Sequence, residues 1–147
     1  MKLLGFILFT CGLFMPPAQW MTDFKQAKTE ASQNNQVILL NFSGSDWCNP
    51  CMRLKNEIFD TGVFDAYASQ NLKLVNADFP RNKKNKLSPE LTQQNDSLAS
   101  VYNSDGKFPY TILLNANGKV LKVWDGFPKV SPEEFVNQVK TVVDAGH

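Results

Sequence analysis

Apolar positions fall into short continuous runs and longer helical spacings that alternate along the chain. Val37 to Phe42 is apolar everywhere except Asn41, the pattern of a strand covered on both faces. Leu72 to Phe79 reads as the second strand, with Leu72, Leu74, Val75, Ala77 and Phe79 as its apolar positions. Tyr110 to Asn115 and Lys119 to Trp124 flank Asn115-Ala-Asn-Gly118 and read as a hairpin. Between the strands the spacing is helical. A first helix is expected over 22–33, capped by Thr22, with Trp20, Phe24, Ala27 and Ala31 on its apolar side. A second runs from Asn49 to about Phe59, with Met52, Leu54, Lys55, Ile58 and Phe59 on one face. Thr61-Gly62 interrupts, and a short helix from Val63 to Ser69 turns Phe64, Tyr67 and Ala68 inward. Ser88-Pro89 caps and opens a helix to Tyr102, with Leu91, Leu98, Ala99 and Val101 inward. Ser131-Pro-Glu-Glu134 is a capping box, and the last helix reaches about Val143 with Phe135, Val136, Val139 and Val142 apolar.

This order gives βαβ followed by ββα: an α/β domain with a central mixed sheet and helices on both faces. The 147 residues suit one domain, and 43% hydrophobic residues suffice for a core. The first twenty residues stand apart. Met1-Lys2 is a minimal basic start, Leu3 to Met15 is apolar, and Pro16-Pro17 breaks the run before Ala18, a small residue at a cleavage point. That is the pattern of a secretory leader over residues 1–20, ahead of a domain over 21–147. A retained membrane anchor and lipidation at Cys11 are the alternatives, and membrane contact is expected only if the segment is kept. Without Lys2, basic and acidic residues are equal in number, so nothing points to nucleic acid.

The chemistry concentrates in Ser43-Gly-Ser-Asp-Trp-Cys-Asn-Pro-Cys51, between the first long strand and the second helix. Once a leader carrying Cys11 is removed, Cys48 and Cys51 are the only cysteines. A dithiol at a strand exit and helix start reads as a redox site. The helix N-terminus favours negative charge and so the Cys48 thiolate. Cys51 lies one turn on, within reach of a mixed disulfide formed at Cys48. Pro50 suits the first helical turn. A zinc half-site would need two more ligands, and the only histidine is His147. A purely structural disulfide is the other alternative. The loop Arg81, Lys83, Lys84 and Lys86 reads either as solvated surface or as a docking patch for an acidic partner.

The combination of Phe42, Trp47-Cys48-Asn49-Pro50-Cys51, Phe108-Pro109-Tyr110-Thr111, the Gly118 hairpin and Gly126 resembles the thioredoxin superfamily over about residues 37–143. Within it the chain is most similar to secreted bacterial proteins of the disulfide-interchange type. The resemblance implies a thioredoxin-like fold, with Cys48 attacking, Cys51 resolving and Pro109 a cis-proline beside the dithiol. It implies that Phe108, before that proline, pairs its backbone with substrate. Trp47, Asn49 and Pro50 would shape the site.

The implied activity is thiol–disulfide exchange with no metal or organic cofactor. Its partners would be proteins with disulfides or thiols, plus a membrane or soluble electron donor. The compartment would be the periplasm. Trp47 and Pro50 resemble reducing members; a disulfide oxidase or isomerase, or a non-catalytic module that holds a client or delivers a metal, are the rivals. Three departures stand out. Asn49 replaces a usual glycine. Asn41 stands where thioredoxin has a buried, proton-moving aspartate; Asp46 is the candidate substitute, with a loop cap as its plainer reading. The loop between Phe42 and Trp47 is one residue longer.

Overall fold

A computed structural model describes residues 16–146. Residues 1–15 of the expected leader, with Cys11, and the terminal His147 lie outside the described residues. The elements are β1 (Trp20–Met21), α1 (Phe24–Asn34), β2 (Val37–Ser43), α2 (Asn49–Leu54) running into a π-helical turn (Lys55–Phe59), α3 (Gly62–Asn71), β3 (Leu72–Asp78), α4 (Pro89–Tyr102), β4 (Tyr110–Leu114), β5 (Val120–Asp125) and α5 (Pro132–Asp144). The sheet order is β1-β3-β2-β4-β5. β1 and β2 run parallel to β3, while β4 is antiparallel to β2 and to β5. The expected mixed sheet with helices on both faces is therefore present.

Side chains alternate across the sheet and create two cores. Val37, Leu39, Leu72, Leu74 and Leu113 face α3, α5 and the π-helical turn, around Phe64 and Phe135. Ile38, Leu40, Phe42, Val75, Ala77, Ile112 and Leu114 face α1 and α4. This double burial is why β2 is apolar on both faces. The first face loses its apolar character toward the strand ends. Leu39 is followed on that face by Asn41 and Ser43, Leu74 by Asn76, and Leu113 is preceded by Thr111; Asn41 pairs in register with Asn76 and Thr111. A polar floor therefore lies at the end of the sheet from which the Cys48 loop departs.

Four expectations need correction. Trp20 belongs to β1, not to the side of the first helix, and its ring packs on Phe59 at 4.9 Å. Asp23, not Thr22, caps α1: its Oδ1 accepts from Gln26 N–H at 2.9 Å. Val101 is 72% exposed, and α4 buries Asn95 and Leu98 instead. Asn95 is inward because its amide donates to the strand-end carbonyl of Asp78 at 3.0 Å. Finally, the helix after the dithiol widens into a π-turn, with Asp60 N–H donating to Lys55 O at 2.8 Å. That spacing brings Leu54 and Phe59 onto the same side, so both join Ile58 in the core. Met52 and Lys55, expected on that face, stay outside the core.

Candidate active site

β2 ends at Ser43, and the chain turns through 44–48 before α2 begins at Asn49. Cys48 is the residue before the helix, with extended backbone, and its Sγ accepts from Cys51 N–H at 3.2 Å. Cys48 and Cys51 are joined as a disulfide, with Cα atoms 5.2 Å apart. Both are nearly covered, at 4% and 3% exposed, so burial does not distinguish their roles. Helix position does: Cys48 stands at the electropositive end and Cys51 inside the first turn. Asn49 and Pro50 are exposed across that turn.

Trp47 ties the site loop to two other segments, around residues 79–81 and at Phe108. Its indole N–H donates to Phe79 O at 2.7 Å. Its ring meets Phe108 edge-on at 5.4 Å. The Arg81 guanidinium stacks over it at 3.7 Å from the ring centroid. Gly44 makes this packing feasible, because a Cβ there would lie 2.3 Å from the indole. Gly44 O also accepts from Cys48 N–H at 2.9 Å. The requirement for glycine at 44 was not legible before the fold, since only the folded indole fills the space a side chain would need.

The Phe108–Pro109 peptide bond is cis, as the resemblance implies. Pro109 is buried, and its carbonyl accepts from Gly126 N–H at 2.9 Å. β4 begins at the next residue, where Tyr110 pairs with Phe42, so Phe108-Pro109 sits at the dithiol's end of the sheet. Asn103 holds the preceding loop: its Oδ1 accepts from Lys107 N–H and its Nδ2 donates to Lys107 O, both at 2.9 Å.

The Asp46 carboxylate is taken up by the basic loop. It accepts from Arg81 N–H and Asn82 N–H, each at 2.9 Å, and from Asn85 Nδ2 at 3.0 Å. The Arg81 N–H and the Asn85 amide, with the Asn82 N–H, hold its carboxyl below the usual aspartate range. These contacts keep it ionised at neutral pH and are those of an anchor for the basic loop.

Beneath Cys51 lies a cavity of about 230 Å³, lined by Asn41, Ser43, Ser45, Asn76 and Lys55 as well as apolar groups. Asn41 donates to Asn76 Oδ1 at 3.1 Å and accepts from Thr111 Oγ1 at 2.9 Å. Its amide is thus satisfied on both sides. An Asn41→Asp substitution would place a charge where burial opposes ionisation. The raised pKa would leave stability near wild type below about pH 4 and lower it as pH rises through the folded-state value. The expected loss at neutral pH is about 1–3 kcal/mol, read from urea unfolding across the pH range. An equal loss at every pH would show that no buried carboxyl titrates there.

Comparison with known proteins agrees with this geometry. The family model described as thioredoxin-like matches residues 19–116. The chain is 32% identical over 125 residues to a protein of Chlamydia pneumoniae named disulfide bond reductase DsbH, covering 85% of this chain and 72% of that one. A solved structure titled DsbH oxidoreductase superposes with a TM-score of 0.80 at 28% identity, covering 95% and 94% of the two chains. A thioredoxin from Thermus thermophilus shares the fold at a TM-score of 0.64 and 14% identity, covering 88% and 89%. With the sheet order, the Cys48–Cys51 disulfide and the cis Phe108–Pro109 bond, these matches place the chain in the thioredoxin-like family.

Proposed function

We propose that the chain is a thiol–disulfide oxidoreductase that reduces disulfides of other proteins through Cys48 and Cys51. The observation that carries this reading is the Cys48–Cys51 disulfide at the start of α2. In the reduced protein the Cys51 N–H and the helix end favour the Cys48 thiolate. That thiolate attacks one sulfur of a substrate disulfide, and the other sulfur leaves as a thiolate. Cys51 then loses its proton and attacks Cys48 Sγ, releasing the second substrate thiol and re-forming the Cys48–Cys51 bond. Two electrons pass to the substrate and no cofactor takes part. Asn49, Pro50, Trp47, Phe108 and Pro109 frame the approach.

Three features support the reducing direction: Trp47 before the pair, Pro50 within it, and similarity to a protein named a disulfide bond reductase. The leader-like residues 1–20 support export to the periplasm, where another protein must return electrons to the pair. The reduced chain should accelerate the reduction of insulin by dithiothreitol, read as turbidity of the freed chains. The expected gain over dithiothreitol alone is about tenfold or more. Absence of acceleration would count against the proposal.

A further inference from the structure

A groove of about 560 Å³ opens beside Trp47, between the segment 78–87 and the first turns of α4. Its wall next to the dithiol is aromatic. Phe108 meets both Trp47 and Phe79, each at 5.4 Å between ring centroids. Its rim is basic, with Arg81, Lys83 and Lys86 lining it. Among the described residues the side chains of these three, and of Lys84, form no ion pair; the ion pairs found there lie elsewhere.

Two carboxylates line the groove as well. Asp78 is engaged by Ser45 N–H at 2.9 Å and Ser45 Oγ at 2.5 Å, which leaves Asp96 on the α4 side. The loop backbone that carries the cations is held in place. Asp46 grips the backbone of Arg81 and Asn82, and Asn82 Oδ1 accepts from Lys84 N–H at 3.2 Å. Arg81 is stacked on the tryptophan that precedes Cys48. A basic rim whose backbone is anchored beside a reactive residue, with Asp78 and Asp96 on the groove wall, differs from an ordinary solvated charge run. The chain as a whole carries a net charge of only +1, so the attraction is local to this groove and not a general affinity for polyanions.

We propose that this groove recognises the substrate and selects an extended peptide segment with acidic side chains next to the cysteine to be reduced. The rings pack the segment's apolar parts, and Lys83, Lys86 and Arg81 meet its carboxylates. The inference rests on the dithiol chemistry proposed above, and its test separates the two.

Three synthetic peptides would each carry one cysteine in a mixed disulfide with a chromogenic aryl thiolate, flanked by glutamates, glutamines or lysines. Cys48 of the reduced full-length chain attacks the peptide sulfur and expels the aryl thiolate, the better leaving group. Cys51 then frees the peptide thiol. With the reduced chain in excess, released chromophore reports the second-order rate constant of a single turnover. The glutamate peptide should be favoured over the lysine peptide by about fivefold or more at low salt, from a few exposed charge pairs. That ratio should fall toward one at about 1 M salt, where screening acts within about 3 Å. It should also fall toward one in a Lys83→Gln, Lys86→Gln variant, whose exposed side chains support no core.

Equal rates for the three peptides, a preference that survives high salt, or a preference retained by the variant would overturn the proposal. Failure of the reduced wild-type chain to release chromophore from any peptide would overturn the oxidoreductase reading instead.

Discussion

Replacing Cys51 with alanine will stop turnover and leave the chain covalently joined to its substrate through Cys48, while Cys48→Ser will prevent any adduct. The two sulfurs are bonded in the oxidised protein, so each is in reach of the other once substrate is attached to one of them. Cys48 stands at the N-terminal end of α2, where thiolate is favoured, and Asn49 and Pro50 leave that turn open to solvent. Cys51 sits inward, above the Asn41–Asn76 floor. Without Cys51 the mixed disulfide has no intramolecular attacker and persists until an external thiol arrives. Both substitutions should lower steady-state reduction on the order of a thousandfold or more, because the two residues act as a unit. Mass spectrometry and non-reducing electrophoresis distinguish them: an adduct for Cys51→Ala, none for Cys48→Ser. An adduct that forms on Cys51 in the serine variant would reverse the roles.

Phe135→Ala will lower the stability of the domain by about 3–5 kcal/mol, the range for deleting a fully buried phenylalanine ring. Phe135 is 0% exposed and joins α5 to the sheet and to the helices around it. Its ring lies 4.7 Å from Trp124, 5.8 Å from Phe59 and 6.1 Å from Phe64. Trp124 is held in turn by its indole N–H, which donates to Gln138 Oε1 at 2.8 Å. The surrounding rings belong to separate elements and cannot all move into the space left. Urea unfolding should show a lower midpoint with an unchanged slope. A loss under about 1 kcal/mol would mean that the cluster closes over the gap, contrary to the packing described.

The sequence showed most where burial and period agree. β2 could be read because both of its faces are covered, and α5 because its capping box and apolar stripe coincide. The dithiol was legible from spacing and the cis-proline only through resemblance. β1 was not legible, since two residues carry no period, and Trp20 looked like a helical neighbour of Phe24. Asn95 defeated the apolar pattern of α4 because its partner is a strand-end carbonyl far away in sequence. The polar floor under Cys51 was hidden for the same reason. Asn41 was visible as an oddity in an apolar strand, but Asn76 and Thr111 join it only through register. The loop from Arg81 to Lys86 read as a charge run, and its anchoring by Asp46 and Trp47 depends on contacts between distant segments.

The most direct test of the central claim is the reduction potential of the Cys48/Cys51 pair, by equilibrating the protein in dithiothreitol or glutathione buffers. A reductase of this family should titrate reversibly as a two-electron couple near thioredoxin, at about −270 mV. A potential near about −120 mV, that of a strong oxidant, would reverse the direction of electron flow. No reversible titration would contradict the redox role itself.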